Sequence, residues 1–346
     1  MFKNKTVFVV GAGGSFEVGL PIGDGLALNI ADKLNFKSGS EGGDYEIDQA
    51  MQMMVGARYT RDMVPWYDAS HRISRSMPLA LSIDNYLHTH SNDEIVVKIG
   101  KLAIARCILE AERNSDLYVG PHQQFDFHAL HQVYRNKNRY PSWHNTFFKM
   151  LTENVKRDGL ENVFENITII TFNYDRCIEH YLVHAFAQFM GMTLDESRAL
   201  CGTLEIIHPY GKVGDYFGGE TFTYFGDSLD RTRLFQISQQ IRTFTEQVTE
   251  QDTIELMRRR LSAAYNVVFL GFSYGEMNLD LLKARGDREF KTVIGTALDV
   301  SDSNKSHYDQ RLRQVLKLES VHNMPIHLQN RTCFQLINDF SRKLLS

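Results

Sequence analysis

A glycine-rich segment after the first apolar run of the chain could hold phosphate groups. The run Thr6–Val10 (TVFVV) is followed at once by Gly11–Ser15 (GAGGS). Glycines at the end of a buried strand let the backbone turn tightly and approach a pyrophosphate, whose charge the N–H groups of the next helix stabilise. Phe16 stands where the dehydrogenase pattern G-x-G-x-x-G needs its last glycine. The segment favours a dinucleotide without hydride transfer; a tight turn without a ligand is the alternative.

A second apolar run, Ile167–Phe172, ends in an amide and a carboxylate. Asn173 follows the run directly, and Asp175 comes two residues later. An uncharged amide at a strand end can hold a water molecule or ribose hydroxyls beside a reacting anomeric carbon. Asp175 can orient that amide or accept a hydrogen bond from a ligand. The alternative for Asp175 is to cap the helix that begins at about Arg176, since Asp is a preferred N-cap residue.

The run Leu204–His208 (LEIIH) brings a histidine to the end of another predicted strand. A neutral imidazole there could accept a proton from a ribose hydroxyl, and a positioned general base contributes roughly 10²–10⁴-fold to a rate. Side chains alternate along a strand, so Tyr210 would share the face of His208. Either residue could therefore occupy the position of the base. An ordinary core or surface histidine is the alternative.

The segment Gly271–Gly275 (GFSYG) after the run Asn266–Leu270 allows two interpretations. Gly271 and Ser273 could line a bound nucleotide. The same letters fit G-x-S-x-G, the nucleophile elbow of α/β-hydrolases, with Ser273 as nucleophile. Acids and histidines follow in the order that a hydrolase triad needs: Asp280, Asp299, His307, His322 and His327. The elbow leaves the other three strand ends unexplained, and no HGGG-type segment precedes it.

Apolar runs that alternate with helical patterns must position these groups. Strands are predicted at Thr6–Val10, Ile167–Phe172, Leu204–His208, Asn266–Leu270, Thr292–Leu298 and about Met324–Gln329. Helical patterns cover about Leu20–Phe36, Cys177–Met192, Leu229–Tyr265 and Thr332–Leu345. This alternation predicts an α/β fold with a Rossmann-like doubly wound parallel sheet. Ligands bind such sheets at the carboxyl ends of the strands, where the chemistry-bearing residues fall.

Residues 37–159 show no buried strand of this kind. Periodic apolar residues in Ile95–Arg113 and His144–Val155 predict helices instead. We therefore expect a dinucleotide-binding domain made of residues 1–36 and 160–346, with residues 37–159 as a large, mostly helical insertion or subdomain.

Composition narrows the class of protein. The chain has 346 residues, of which 43% are apolar and 23% charged, as in ordinary globular proteins. A net charge of −4 gives no electrostatic case for nucleic acid or an anionic membrane. No apolar run approaches the roughly 20 residues that span a bilayer. Four scattered cysteines with no CxxC pair suit a reducing compartment, so we expect a cytoplasmic protein without a metal.

Taken in order, these blocks resemble the sirtuins. Gly11–Pro21 (GAGGSFEVGLP) resembles the sirtuin opening GAG-x-S with G-[IL]-P, although Ile22-Gly23-Asp24 replaces the following Asp-Phe-Arg. Thr171–Asp175 (TFNYD) resembles the Thr-x-Asn-Tyr-Asp form of SIR2-like proteins, and His208–Gly211 stands at the sirtuin His-Gly pair. Gly271–Ser273 with Asn278-Leu279 resembles the last NAD-contacting strand. Ser82–Leu87 (SIDNYL) resembles a further SIR2-like segment, for which helix capping is the alternative.

The resemblance implies NAD as a substrate and assigns its contacts. The diphosphate would be held by Gly11, Ala12, Gly13 and Ser15, and Pro21 would flank the nicotinamide ribose. The catalytic residues would be Asn173 and His208. Asp175 would contact the nicotinamide side of the substrate, and Gly271 and Ser273 would contact the adenosine side. The chain cannot build the zinc module of protein-deacylating sirtuins, which makes an acyl-lysine peptide an unsuitable substrate. It resembles instead the NAD-hydrolysing effectors of bacterial anti-phage defence.

The implied reaction is hydrolysis of NAD to nicotinamide and ADP-ribose. Such an activity would be toxic if constitutive, so we expect control by homo-oligomerisation or by a partner defence protein such as a motor ATPase, through the helical insertion. The alternatives are an ADP-ribosyltransferase, a catalytically dead nucleotide sensor and, from another class, the serine hydrolase. The trigger, the oligomeric state and the choice between NAD and NADP stay open.

Overall fold

Six parallel strands form one sheet in the described part of the chain. The computed structural model describes residues 1–37, 42–56, 60–120, 123–128, 130, 141–249, 251–284, 292–318 and 324–346. The strands are β1 (Thr6–Val10), β2 (Ile167–Thr171), β3 (Glu205–Ile207), β4 (Asn266–Leu270), β5 (Thr292–Thr296) and β6 (Ile326–Gln329). They lie in the order β3-β2-β1-β4-β5-β6, and every neighbouring pair is parallel. This is a Rossmann-like doubly wound sheet, which confirms the predicted fold class.

The central strand β1 shows why these runs become strands. All five of its residues are buried, as a strand covered on both faces requires. Val7 and Val9 join one hydrophobic core, whereas Phe8 and Val10 join the core on the opposite face. The order of the strands reverses between β1 and β4, which pair in register from Thr6 with Asn266 to Val10 with Leu270. That reversal is the switch point at which doubly wound sheets bind ligands.

Helices cover both faces of the sheet. They are α1 (Ala12–Phe16), α2 (Gly23–Lys33), α3 (Tyr45–Val55), α4 (Thr60–Ser76), α5 (Ile83–Thr89), α6 (Glu94–Arg113), α7 (Trp143–Thr152), α8 (Cys177–Met190), α9 (Leu194–Cys201), α10 (Arg231–Ser238), α11 (Phe244–Thr249), α12 (Gln251–Ala263), α13 (Glu276–Leu281), α14 (Asp302–Val315) and α15 (Cys333–Leu345), with short 3₁₀ segments at Met77–Leu79 and Arg157–Asn162. No helix among the described residues is both long and apolar enough to cross a membrane.

Residues 37–159 are mostly helical where they are described. Helices α3 to α6 belong to the core on the Val7 side, together with α2. Helix α7 belongs to the core on the Phe8 side, together with α8 and α15. The range therefore contributes to both cores, and its boundaries as a separate subdomain stay a prediction.

The long helix expected over Leu229–Tyr265 is wrong, because the chain leaves the helical path after Ser238. The N–H of Arg242 donates to the carbonyl of Tyr210 at 3.0 Å, which ties this segment to the chain beyond β3. Gly211 lies so close that a Cβ on it would stand 1.7 Å from the carbonyl oxygen of Gln240. A continuous helix could not make this backbone contact, so three shorter helices, α10 to α12, replace it.

Two glycine turns touch at the switch point. The N–H of Gly13 donates to the carbonyl of Gly271 at 3.0 Å. Gly271 has a φ of +57°, in the left-handed region, and a Cβ on it would stand 2.2 Å from the carbonyl carbon of Gly13. The turn after β1 and the turn after β4 are thus packed backbone against backbone, which only glycine permits.

We predict that Gly271→Ala destabilises the protein far more than Gly191→Ala. Gly191 ends α8 with a similar φ of +61° but has no atom within 4 Å of its would-be Cβ. The control should cost about 1–2 kcal/mol for the left-handed backbone alone, and Gly271→Ala should add at least about 1–3 kcal/mol of overpacking. Urea unfolding of both variants measures the difference. Equal losses would mean that the two turns can separate freely.

Candidate functional site

One cavity of about 900 Å³ opens at the carboxyl ends of the central strands. Its walls include the turn after β1, the segment after β2, the turn after β4 and the segment after β5. The volume lies within the range of about 300–1,000 Å³ typical of small-molecule sites. The strand ends that the sequence singled out therefore meet at one edge of the sheet.

The structure brings eight of the ten predicted site residues to this cavity. The eight that line it are Gly11, Ala12, Gly13, Pro21, Asn173, Asp175, Gly271 and Ser273. Ser15 lies directly beneath them as a buried residue, and His208 is not part of the cavity wall. The roles assigned to these residues stay predictions.

Ser15, Asn173 and Asp175 form a buried hydrogen-bonded group under the cavity floor. The Nδ2 of Asn173 donates to Ser15 Oγ at 3.0 Å, and Ser15 Oγ donates to Asp175 Oδ1 at 3.0 Å. No described residue donates to the amide oxygen of Asn173, so this atom is the part of the amide left for a ligand. The first glycine turn thus orients Asn173 through a side chain of its own.

Asp175 serves the helix as well as the site. Its Oδ1 accepts the N–H of Cys177, the first residue of α8, at 3.1 Å. Burial raises the pKa of this carboxyl, and the hydrogen bonds from Cys177 and Ser15 oppose that rise. The N-cap of α8 is Arg176, so the N-cap position expected for Asp175 is wrong; Asp175 binds the first N–H of the helix from one residue earlier and also lines the cavity.

Three of the loop's own N–H groups are already used inside the protein. Gly11 donates to the carbonyl of Leu270 at 3.0 Å, Gly13 donates to Gly271, and the N–H of Gly14 donates to the carbonyl of Gly11 at 2.8 Å. A phosphate at this turn would therefore meet Ala12 and the bare backbone surface that the glycines leave, rather than a ring of free amides. The sequence overestimated the number of available donors.

His208 faces away from the cavity. Its Nε2 lies 3.0 Å from Glu179 Oε1, and its Nδ1 lies 3.1 Å from the carbonyl oxygen of Asn173. Both ring nitrogens contact acceptor atoms of the protein, so neither is directed into the cavity as a base. The predicted shared face fails because β3 ends at Ile207, and beyond it the alternation of a strand no longer applies.

The sequence left open whether His208 or Tyr210 reaches the site, and it is Tyr210 that lines the cavity. Its hydroxyl donates to Asn278 Oδ1 at 2.7 Å. Burial raises the pKa of this phenol well above its ordinary value, so the hydroxyl stays protonated at neutral pH. Tyr210 is therefore suited to donate a hydrogen bond rather than to accept a proton.

A fully buried ion pair holds the segment after β2 in place. Arg176 and Glu112 are both 0% exposed, and their Nη2 and Oε2 atoms are 2.5 Å apart. The backbone N–H of Arg176 also donates to Glu112 at 2.9 Å, while its guanidinium donates to the carbonyls of Thr223 and Tyr224. The pair joins the end of α6 to the residue that follows Asp175. No sequence pattern marked it, because the two partners are 64 positions apart.

Asp84 is a cavity residue whose position the sequence did not settle. It lies in the first turn of α5, within Ser82–Leu87, and its carboxylate accepts a short hydrogen bond from the hydroxyl of Tyr174. Capping of α5 is done by Ser82, whose Oγ accepts the N–H of Asn85 at 3.1 Å. Burial raises the pKa of Asp84, and the bond from Tyr174 lowers it.

Acidic side chains outnumber basic ones on the described part of the cavity wall. Glu17, Asp24, Asp84 and Asp175 line it, and Arg331 is the only cation among the described lining residues. Arg331 comes after β6, on the far side of the sheet from β2. Burial raises the pKa of Glu17 to about 7, against hydrogen bonds from the N–H groups of Phe334 and Trp143. Burial likewise raises the pKa of Asp84 and Asp175, and a positive group of a ligand beside these acids would favour their charged forms.

Aromatic rings line the β4–β5 end of the cavity. Tyr274 and Tyr308 stack with ring centroids 4.9 Å apart, and both line the wall. Tyr274 has a φ of +56°, an unfavourable conformation for a non-glycine residue, and its hydroxyl donates to the carbonyl of Thr296 at 3.0 Å. Flat apolar surface of this kind suits a nucleobase.

The serine hydrolase geometry is not assembled. Among the described residues, His307 lies 3.6 Å from Glu276 and His327 packs on Phe340, so neither contacts Ser273. His322 lies outside the described residues. The left-handed residues of the turn are Gly271 and Tyr274, not Ser273, unlike a nucleophile elbow, in which the serine itself sits on the strained turn.

Comparison with known proteins adds little beyond the architecture. Neither a protein-family model nor a curated protein sequence matches the chain. A solved structure described as a Sir2 homologue in complex with NAD is 12% identical, over 99% of this chain and 90% of that one, with a TM-score of 0.40. We therefore argue function from the site itself.

We predict that Glu112→Ala lowers the free energy of unfolding by about 3–5 kcal/mol, because it leaves a buried guanidinium unpaired. Asp195→Ala is the matched control: it removes an exposed partner of Arg198 and should cost a small fraction of that amount. Chemical denaturation measures both. A loss for Glu112→Ala no larger than that of the control would show that the pair does not hold the segment.

We also predict a pH effect from Glu179. Burial alone would raise the pKa of this carboxyl, but His208 and Lys212 outweigh it and lower the pKa to about 2. A depressed folded pKa gives stability that is present above the unfolded value near 4.5 and is lost as the pH falls towards 2. The midpoint of unfolding should thus fall less steeply between pH 5 and pH 3 in Glu179→Gln than in the wild type. Glu94→Gln, at an exposed site, should follow the wild type.

Proposed function

We propose that this protein binds NAD in the cavity and hydrolyses its nicotinamide–ribose bond, giving nicotinamide and ADP-ribose. The observation that carries the proposal is the meeting of three strand ends around one cavity. A glycine turn, the amide of Asn173 and the Gly271–Tyr274 segment all line its wall. A dinucleotide needs a phosphate-tolerant centre between two sugar–base ends, and this arrangement supplies it.

The orientation of the substrate follows from the wall. The β4–β5 end, with Tyr274, Tyr308 and Ala297, offers flat surface for adenine. The β2 end offers Asn173 and, through its contact with Tyr174, the acid Asp84, which suits the cationic nicotinamide riboside. The diphosphate would then lie over the turn at Gly11–Gly13, between the two ends, with Pro21 beside the nicotinamide ribose.

The reaction asks little of the protein beyond positioning. The bond between the ribose anomeric carbon and the nicotinamide nitrogen breaks, and its electron pair goes to the pyridinium, which leaves neutral. A water oxygen bonds to the oxocarbenium-like carbon and its proton passes to solvent. The amide oxygen of Asn173 orients this water and stabilises the developing positive charge, because it is a fixed dipole in a partly desolvated site.

In this arrangement His208 acts on the reaction through Asn173. Its ring contacts the carbonyl oxygen of Asn173, and Glu179 fixes the ring from the other side. A direct catalytic role for His208 would require the ring to turn from Glu179 towards the cavity. We therefore assign it as a positioning residue of the folded state described above.

We further propose that the protein is an effector of anti-phage defence whose activity is controlled by assembly. Control is needed because NAD is a metabolite shared by the whole cytoplasm, and its constitutive loss would be toxic. The helices of residues 37–159 would provide the contact with other copies or with a partner such as a motor ATPase. The rate of NAD loss per chain should then rise with protein concentration or on addition of the partner. A full rate at every dilution of the isolated chain would contradict this control.

The alternatives use the same cavity with a different outcome. In an ADP-ribosyltransferase, a nucleophile other than water would take the ribosyl group; in a nucleotide sensor, binding would occur without cleavage. The buried orientation of His208, which leaves the cavity without an evident base, is the observation that favours the sensor.

We predict that Asn173→Ala reduces NAD hydrolysis at least about 10²-fold, the usual cost of losing one fixed polar group at a reacting centre. Ser273→Ala should keep most of the activity, because Ser273 lies on the adenosine side. Chromatography of nicotinamide and ADP-ribose measures both variants. Wild-type rates in Asn173→Ala would refute the assigned site, and loss of an esterase activity in Ser273→Ala would instead support the hydrolase.

A further inference from the structure

Asp84 is a carboxylate without a cationic partner on the wall of the cavity. Its hydrogen bond comes from the neutral hydroxyl of Tyr174, and no described Lys, Arg or His lies within ion-pair distance of it. Capping of α5 falls to Ser82, so helix geometry does not require an acid at this position. Burial without a cationic partner raises the pKa of this carboxyl, and a cation placed beside it would favour its charged form. The missing partner is therefore to be sought in the ligand.

The place of Asp84 relates it to the reacting end of the site. Tyr174, which donates to it, is the residue directly after Asn173. Tyr210, also on the wall, lies beside Tyr174 with ring centroids 6.4 Å apart, and both phenols are neutral because burial raises their pKa values. Asp84 thus has one neutral donor, Tyr174, on the protein side and the cavity on the other.

We infer that Asp84 is a specificity residue, supplied by the helical insertion, that recognises the positive charge of the nicotinamide riboside. The inference rests on the proposed function. The pyridinium of NAD carries this charge before cleavage, and the ribosyl carbon carries it in the transition state. ADP-ribose, the product, lacks it. Asp84 therefore makes the site prefer the substrate over the product and favours release of ADP-ribose after each turnover.

The test compares two ligands that differ in this charge. In carba-NAD a methylene group replaces the ring oxygen of the nicotinamide ribose. This ligand keeps the cationic nicotinamide and resists hydrolysis, whereas ADP-ribose has no cation. Calorimetry with the full-length wild type, Asp84→Asn and Asp24→Asn gives the dissociation constants of both. Asn at position 84 can still accept from Tyr174, so the fold should persist, and the unfolding midpoint checks this. Asp24→Asn removes the same charge from an exposed position on the same wall.

Asp84→Asn should weaken carba-NAD binding at least about tenfold, which corresponds to about 1.4 kcal/mol, and leave ADP-ribose binding within about twofold. Asp24→Asn should change the ratio of the two affinities much less. An equal loss for both ligands, or no loss for either, would overturn the inference while the proposed function stands. Failure of the wild type to bind either ligand would overturn the proposed function, and the inference with it.

Discussion

The buried pair of Arg176 and Glu112 fixes the segment on which the site depends. Both charges are removed from water, which costs several kcal/mol per ion unless the pair is fully hydrogen-bonded. Glu112 accepts from the side chain and backbone of Arg176 and from the N–H of Gly226, while Arg176 also donates to two carbonyls. The bonds made by Arg176 restrict the backbone immediately after Asp175, and the bond from Gly226 holds Glu112 in place. The pair therefore converts a loop after β2 into a rigid platform, joined to the end of α6.

The segment after β2 is in turn hydrogen-bonded to the glycine turn after β1. Asp175 and Asn173 share Ser15 Oγ, so the segment after β2 and the turn after β1 have one hydrogen-bonded geometry. The turn after β1 in turn packs on Gly271, backbone against backbone. Three strand ends are thus locked to one another before any ligand arrives. A site whose polar groups are held in this way loses little entropy on binding, which is what a reaction governed by positioning requires.

The sequence predicts those parts of the structure that depend on neighbouring residues in the chain, namely the strands and the turns at their ends. Apolar runs such as TVFVV and ITIIT must be buried on both faces, so the strands and the meeting of their ends follow from periodicity and glycine placement. It could not predict the pair of Glu112 with Arg176 or the contact of Asp84 with Tyr174, because each joins residues distant in the chain. The direction of His208 and the break after Ser238 also depend on tertiary contacts, with Glu179 and Tyr210. The errors therefore lie where long-range polar contacts override local pattern.

The central claim is that the cavity holds NAD with its nicotinamide ribose beside residue 173. A crystal structure of the Asn173→Ala variant soaked with NAD tests it most directly, since the variant should bind without cleaving. The account predicts the diphosphate over Gly11–Gly13, the anomeric carbon next to position 173, and adenine between the segments after β4 and β5. A dinucleotide bound outside the cavity, or bound with adenine at position 173, would contradict it.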